Sequence, residues 1–256
     1  MAATTDTQHE EQSGTNGPAA PPARRRGRAG RIVARTVSVF GELLITAGLV
    51  LGLFVVYSLW WTNVVADRAA DEQADKVRDN WAQDRVGSDG PGALDTKAGI
   101  GFLHVPAMGD GDILVEKGTS MKVLNDGVAG YYTDPVKSAL PTSGKEGNFS
   151  LAAHRDGHGA KFHNIDKIEE GDPIVFETKD TWYVYKTYAV LPETSKYNVR
   201  VLDPVPKESG KKKAGHYITL TTCTPVYTSR YRYVVWGELV RTEKVDGERT
   251  PPKELR

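Results

Sequence analysis

A lone thiol is where chemistry in this chain has to begin. Cys223 ends the run Thr219-Leu220-Thr221-Thr222-Cys223 and meets a turn at Thr224-Pro225. Two guanidinium groups, Arg230 and Arg232, return within ten residues across a loop of hairpin size. His154 follows a second apolar run, Leu151-Ala152-Ala153, just before the turn-forming Arg155-Asp156-Gly157. Thiol and imidazole thus both sit at strand ends, where side chains open onto sites. A thiol with an ordinary pKa of about 8.5 is mostly protonated at neutral pH, so it needs a base or a cation beside it. An imidazole can take that proton and later give one to a leaving amine. A guanidinium stays charged and offers a rigid fork of donors to a developing oxyanion. On residue chemistry alone two readings stand: acyl transfer through a thioester, or a cysteine that is a small buried hydrophobe.

Arg230 and Arg232 are two apart, so a continuous strand would turn both to one side. Position separates them. Thr228-Ser229-Arg230 keeps the composition of a turn, whereas Tyr231 onward has the β-rich texture of a strand that would pair beside Cys223. The expectation falls on Arg232, which a ladder would hold rigid. The remaining polar residues invite less. His154 and His158 have the i,i+4 spacing of metal ligands on a helix, but Gly157 and Gly159 make a loop there and no third ligand presents itself. His163 borders a short helix and His216 begins a strand; both read as structural. Lys211-Lys212-Lys213 reads as a solvated loop, and the spacing of Asp110, Asp112 and Glu116 does not demand calcium. No cofactor or metal is expected.

The elements that must hold these groups are mostly strands. Residues 100–105 are apolar and end at Pro106. Residues 173–178 and 182–190 flank Lys179-Asp180 and read as a hairpin, and 217–223 and 231–240 make two more strands. Phe162, Ile165 and Ile168 lie at helical spacing, giving one short amphipathic turn. There is no βαβ alternation and no GxGxxG, which excludes dinucleotide folds. The physical reading is an all-β barrel or sandwich with short helices over residues 95–245.

The rest of the 256 residues is organised differently. Charge balances at 33 Lys+Arg against 33 Asp+Glu, which argues against a general nucleic-acid binder. One cysteine excludes an intramolecular disulfide framework. Residues 1–35 are polar and end in Arg24, Arg25, Arg26, Arg28, Arg31 and Arg35, a disordered basic tail. Within 36–61, the uncharged apolar run 43–61 is long enough to span a bilayer as a helix and carries Tyr57, Trp60 and Trp61 at its end. The Arg cluster before it puts the N-terminus in the cytoplasm and the domain outside, which makes an idle free thiol an oxidation liability. A cleaved signal peptide is the rival reading; Val64-Val65-Ala66 faintly resembles its cleavage site, but the apolar stretch is too long. Residues 62–94, rich in Ala and charge and broken at 87–92 by Gly-Ser-Asp-Gly-Pro-Gly, read as a solvated stalk. Residues 246–256 form a C-terminal tail.

At its candidate chemical residues the sequence resembles the sortases. Thr219-Leu220-Thr221-Thr222-Cys223 followed by Arg232-Tyr233-Val234-Val235 is similar to the family's TLxTC signature and trailing Arg-x-x-Val strand. Leu151-Ala152-Ala153-His154, Phe102-Leu103-His104-Val105-Pro106 and Gly171-Asp172 also match, so the resemblance covers about residues 95–242. The Thr-Cys-Thr-Pro turn and anchored layout look most like class E housekeeping sortases of actinobacteria. Pilus-polymerising class C enzymes share that turn but carry a lid motif and a C-terminal membrane segment, neither of which is found here. The resemblance implies an eight-stranded sortase-type β-barrel with short helices, preceded by one transmembrane helix. It further implies a membrane-anchored cysteine transpeptidase that cleaves a Thr–Gly bond in the C-terminal sorting signal (LAxTG- or LPxTG-like) of secreted proteins. A thioacyl-enzyme would then pass the protein to a cell-wall amine of a lipid II-type peptidoglycan precursor. Cys223 would be the nucleophile, His154 the acid/base and Arg232 the oxyanion and substrate ligand, with Thr221 and Thr222 lining the substrate. Two other readings remain: a non-enzymatic anchored β-domain that binds wall components, and a cysteine peptidase that releases its product to water.

Overall fold

The runs rich in Val, Ile, Tyr, Thr and Phe become strands, and the strands close on themselves. The computed structural model describes residues 27–84, 100–109 and 111–256. After a long helix α1 (Arg28–Asp84) come β1 (Gly101–His104), β2 (Asp112–Lys117), a single helical turn α2 (Met121–Leu124), β3 (Ala129–Tyr131) and β4 (Gly147–Ala152). The hairpin β5 (Pro173–Glu177) and β6 (Thr181–Ser195) follows, then β7 (His216–Thr224) and β8 (Tyr231–Lys244). They form a closed eight-stranded barrel in the order β1-β2-β3-β4-β7-β8-β6-β5, with β5 pairing back on β1. Closure removes sheet edges, so no strand of the barrel is left as a template for foreign pairing.

Two pairings are parallel, β2 with β3 and β4 with β7; the others are antiparallel. Every residue of β4 is buried, and so is nearly all of β7, which places this pair at the centre of the molecule. Leu103, Val115, Phe149, Leu151, Phe176, Ile218, Leu220 and Val235 fill the interior. The expected hairpin around Lys179-Asp180 is present. Phe162, Ile165 and Ile168 are buried as their spacing predicts, on a 3-10 turn (Ile165–Lys167) in place of an α-helix.

Two units divide the chain, residues 1–52 and 53–256. In the first, residues 28–35 are helical, whereas the sequence reading places them in a disordered tail. Arg and Ala are good helix formers, and the apolar segment that follows carries the helix backwards through them. Residues 1–26 lie outside the described residues. Among the described residues one helix is long and apolar enough to cross a membrane, and none of its apolar window is buried.

In the second unit, α1 departs from the solvated stalk expected over 62–94. Ala70 and Val77 are buried against Phe102, Leu114 and Val128, with Ala74 and Trp81 alongside, and Ala66 is buried one turn earlier. The Trp81 ring meets Phe102 edge-on at 5.4 Å. Positions 66, 70, 74, 77 and 81 make an i,i+4/i+3 stripe, mostly of alanine, that the surrounding charges conceal. The Gly-Ser-Asp-Gly-Pro-Gly break at 87–92 lies outside the described residues. The C-terminal tail is also packed: the Arg249 guanidinium donates to the Glu177 carboxylate and to Thr178 and Lys179 carbonyls, and lies 4.5 Å from the Trp81 ring centre. Glu177 is buried and also meets Arg78 and His104. Burial raises the Glu177 pKa, but hydrogen bonds from His104 and Arg249 and the charges of Arg249 and Arg78 outweigh that and hold it below the usual value.

Candidate active site

Strand register assembles the site. Cys223 near the end of β7 is the direct partner of Arg232 near the start of β8. Directly opposed residues project to the same face with Cβ atoms about 5 Å apart, so thiol and guanidinium stem share one side of the sheet. Cys223 is half-buried. Arg230 lies outside the strand in an exposed bend, so only Arg232 is ladder-held. The Arg232 guanidinium donates to the Ser229 (3.3 Å) and Tyr231 (3.0 Å) carbonyls at the mouth of the same turn.

His154 arrives from the other flank of β7. Ala152 on β4 pairs with Thr221. Beyond it the Ala153 N–H donates to the Thr221 carbonyl, and the Thr222 hydroxyl donates to the Ala153 carbonyl at 2.8 Å. Continuing this parallel register brings His154 abreast of Cys223. Its Nε2 lies 2.9 Å from Oδ1 of Asn125, so with that oxygen accepting, the neutral ring keeps its lone pair on Nδ1. Burial lowers the His154 pKa first, and the His158 ring, 5.3 Å away centre to centre, lowers it further; Asp156 opposes them. The neutral imidazole is therefore favoured near pH 7.

Thr221 and Thr222 are both buried, and their hydroxyls are engaged with the barrel. Thr221 donates to the Leu151 carbonyl at 3.1 Å, which leaves Tyr132 to donate its phenol to Thr221 at 3.0 Å. Tyr132 is a residue the sequence reading missed. Burial pushes its phenol up, and its bond to Thr221 puts it on the face of β7 that also carries Cys223, two residues on.

A sortase-domain family model matches residues 103–240, which contain all of these groups. The chain is 85% identical to sortase SrtE2 of Streptomyces coelicolor over the full length of both, and 48% identical to sortase SrtE1 of that organism over 85% of this chain and 62% of the relative. The crystal structure of sortase E1 from S. coelicolor with a tripeptide in its active site superposes with a TM-score of 0.58 at 48% identity, covering 62% of this chain and 96% of that one. Sortase E from Streptomyces avermitilis gives 0.54 at 35% identity, covering 62% and 97%. This chain is a sortase. Its relatives put it among the class E enzymes of actinobacteria, and it is a transpeptidase with the closed eight-stranded barrel of the family.

Two further residues of this sortase escaped the sequence reading. Arg155 is buried; it donates to the Thr224 hydroxyl at 2.9 Å and pairs with Asp166 at 3.1 Å. It follows His154 and grips the residue that follows Cys223, tying the two strand ends together. Asn125 orients the imidazole from a turn after α2. Neither carried a sequence signal, because each acts through a partner 69 or 29 residues away. Among the described residues no group of three or more His, Cys, Asp or Glu converges. Asp112 is instead paired with Arg78, Glu116 has its carboxyl pushed up by burial and by Asp126, and Asp110 lies outside the described residues. His163 Nδ1 donates to the Arg155 carbonyl, and His216 begins β7, both structural placements.

Proposed function

We propose that this sortase works as a single-pass membrane enzyme that transfers secreted proteins to a cell-wall amine through Cys223. His154 takes the thiol proton as the Cys223 sulfur attacks the Thr carbonyl of a Thr–Gly bond in an LAxTG-like sorting signal, and the carbonyl π electrons move onto oxygen. Arg232 donates hydrogen bonds to that oxyanion. As the carbonyl reforms, the C–N bond breaks and His154 gives the departing glycine nitrogen its proton. A peptidoglycan-precursor amine then attacks the thioester and loses its proton to His154, which returns it to the expelled Cys223 sulfur. Tyr132 and Thr221 make a polar wall for the substrate beside the thiol. Thr222 holds the Ala153 carbonyl and, through it, the segment carrying His154.

The cross-strand pairing of Cys223 with Arg232, with His154 on the opposite flank of β7, is the observation that carries this reading. The same thiol would be idle in a non-enzymatic wall-binding domain, whose cysteine needs neither an opposed guanidinium nor an adjacent imidazole. The basic cluster before the apolar segment supports a cytoplasmic N-terminus and an external barrel, with residues 36–61 as the anchor. Incubating the full chain in detergent with an LAxTG peptide and an amine tests the chemistry. Intact mass should show a thioester on Cys223 that the amine discharges to transfer product, and Cys223→Ala should show neither. Hydrolysis unaffected by added amine would make the enzyme a peptidase instead.

A further inference from the structure

The helix expected to be a spacer touches both halves of the loop system that orients His154. On one side, Ala66 of α1 packs on Gly127, where an added Cβ would come within 2.8 Å of the Ala66 carbonyl oxygen. Gly127 is two residues from Asn125, whose Oδ1 holds His154 Nε2. On the other side, Asn63 Oδ1 accepts the Gly159 N–H at 3.0 Å, and Asp67 Oδ1 accepts from Lys161 Nζ at 2.9 Å. The two sides abut, since a Cβ on Gly159 would stand 3.3 Å from the Gly127 Cα and 3.0 Å from Asp67 Oδ1.

What α1 grips here is a strained segment. Gly157, His158, Gly159 and Ala160 have φ of 60, 47, 77 and 40°, four consecutive left-handed residues of which two carry a Cβ. Such backbone persists only where its surroundings over-determine it. Within this run the His158 ring lies against His154, and at its far end the Phe162 N–H returns to the His154 carbonyl at 3.0 Å. Asn63 and the Lys161–Asp67 pair are polar contacts that α1 makes to this loop, and the first falls within the strained run itself.

We infer that Asn63, Ala66 and Asp67 of α1 are positioning residues for His154, so that the membrane-proximal helix is a working part of the acyl-transfer site. The inference rests on His154 being the imidazole of the reaction. Neither Asn63 nor Asp67 touches Cys223 or Arg232, so loosening the clamp misplaces one proton-transfer group and leaves the thiol and its arginine in register.

The test compares full-length variants in detergent micelles with an LAxTG peptide and an amine. Asn63→Ala combined with Asp67→Ala should lower kcat by about tenfold or more with KM within about twofold, the scale of a sub-ångström misplacement of a catalytic group. The exchanged pair Asp67→Lys with Lys161→Asp should recover most of the kcat lost in Asp67→Ala alone. A kcat near wild type in the double variant overturns the inference, as does an exchanged pair that restores nothing. A double variant whose barrel melts out also overturns it, since α1 would then be a stability element only. His154→Ala separates the two claims. If it is inactive while the clamp variants are fully active, only the clamp is lost. An active His154→Ala removes the role assigned to His154, and the clamp with it.

Discussion

Register, more than proximity in sequence, decides which arginine stands opposite Cys223. Arg232 is its ladder partner and Arg230 sits in the bend before the strand. Arg232→Ala should therefore cost about 10²-fold or more in rate, the effect of losing one preorganised donor. Arg232→Lys should rescue little, because an ammonium lacks the planar fork. Arg230→Ala should stay substantially active; steady-state transfer kinetics of the three variants check this, and the reverse pattern would reassign the role. His154 supplies a second expectation. Its pKa is lowered by burial, then by His158, so an NMR titration should place its midpoint below 6.5. His158→Gln should move that midpoint up by part of the difference, and Asp156→Asn should move it down. The folded state holds this imidazole neutral, so its contribution is complete above the unfolded value and is lost as pH falls through the lowered one. The convergence of Cys223, His154 and Arg232 at neighbouring strand ends was legible in the sequence because strand-end motifs mark them. Tyr132, Asn125 and Arg155 were not, because their roles exist only once strands distant in the chain are side by side.

At the scale of elements, α1 is where composition misled. Alanine at 66, 70 and 74 weighs little in a hydropathy pattern, and charges flank each position, so the stripe read as a solvated face. On the barrel those small residues let the helix backbone approach closely enough to touch Gly127. Val77→Asp, which buries an unpaired carboxylate in that seam, should destabilise the barrel by roughly 3 kcal/mol. Glu72→Ala on the exposed face should stay within about 0.5 kcal/mol. Thermal unfolding of the full chain in detergent distinguishes the two, and equal, negligible shifts would mean that the helix does not dock. β5 to β8 were readable from their aromatic and β-branched texture. β2 and β3 were not: β3 is only Ala129–Tyr131, and β2 is Asp112–Lys117, charged at both ends. Their strand character comes from pairing, β2 with β1 and β3, and β3 with β2 and β4, which no local pattern encodes.

Across the whole molecule, the division into a basic N-terminal segment, an apolar helix and a β domain was visible from charge and hydropathy alone. The topology proposed from it has a direct measurement. Protease added to intact cells should remove the β domain and spare an N-terminal tag; a mature chain starting near Asp67 would mean that the apolar segment is cleaved instead. Such a product would also lack Asn63 and Ala66 of the clamp.

The parallel pairing of β4 with β7 carries a consequence in time. These neighbours are separated by about 69 residues of chain, and contacts of such long sequence separation form late because loop closure must precede them. A chain emerging N-terminus first presents His154 well before Cys223, and Arg232 after both. Until β7 slots beside β4 and β8 closes against it, the imidazole, the thiol and the guanidinium belong to separate, unjoined pieces. The thiol thus meets its guanidinium partner only when the last strands to appear have paired, and a half-made chain holds the three groups apart.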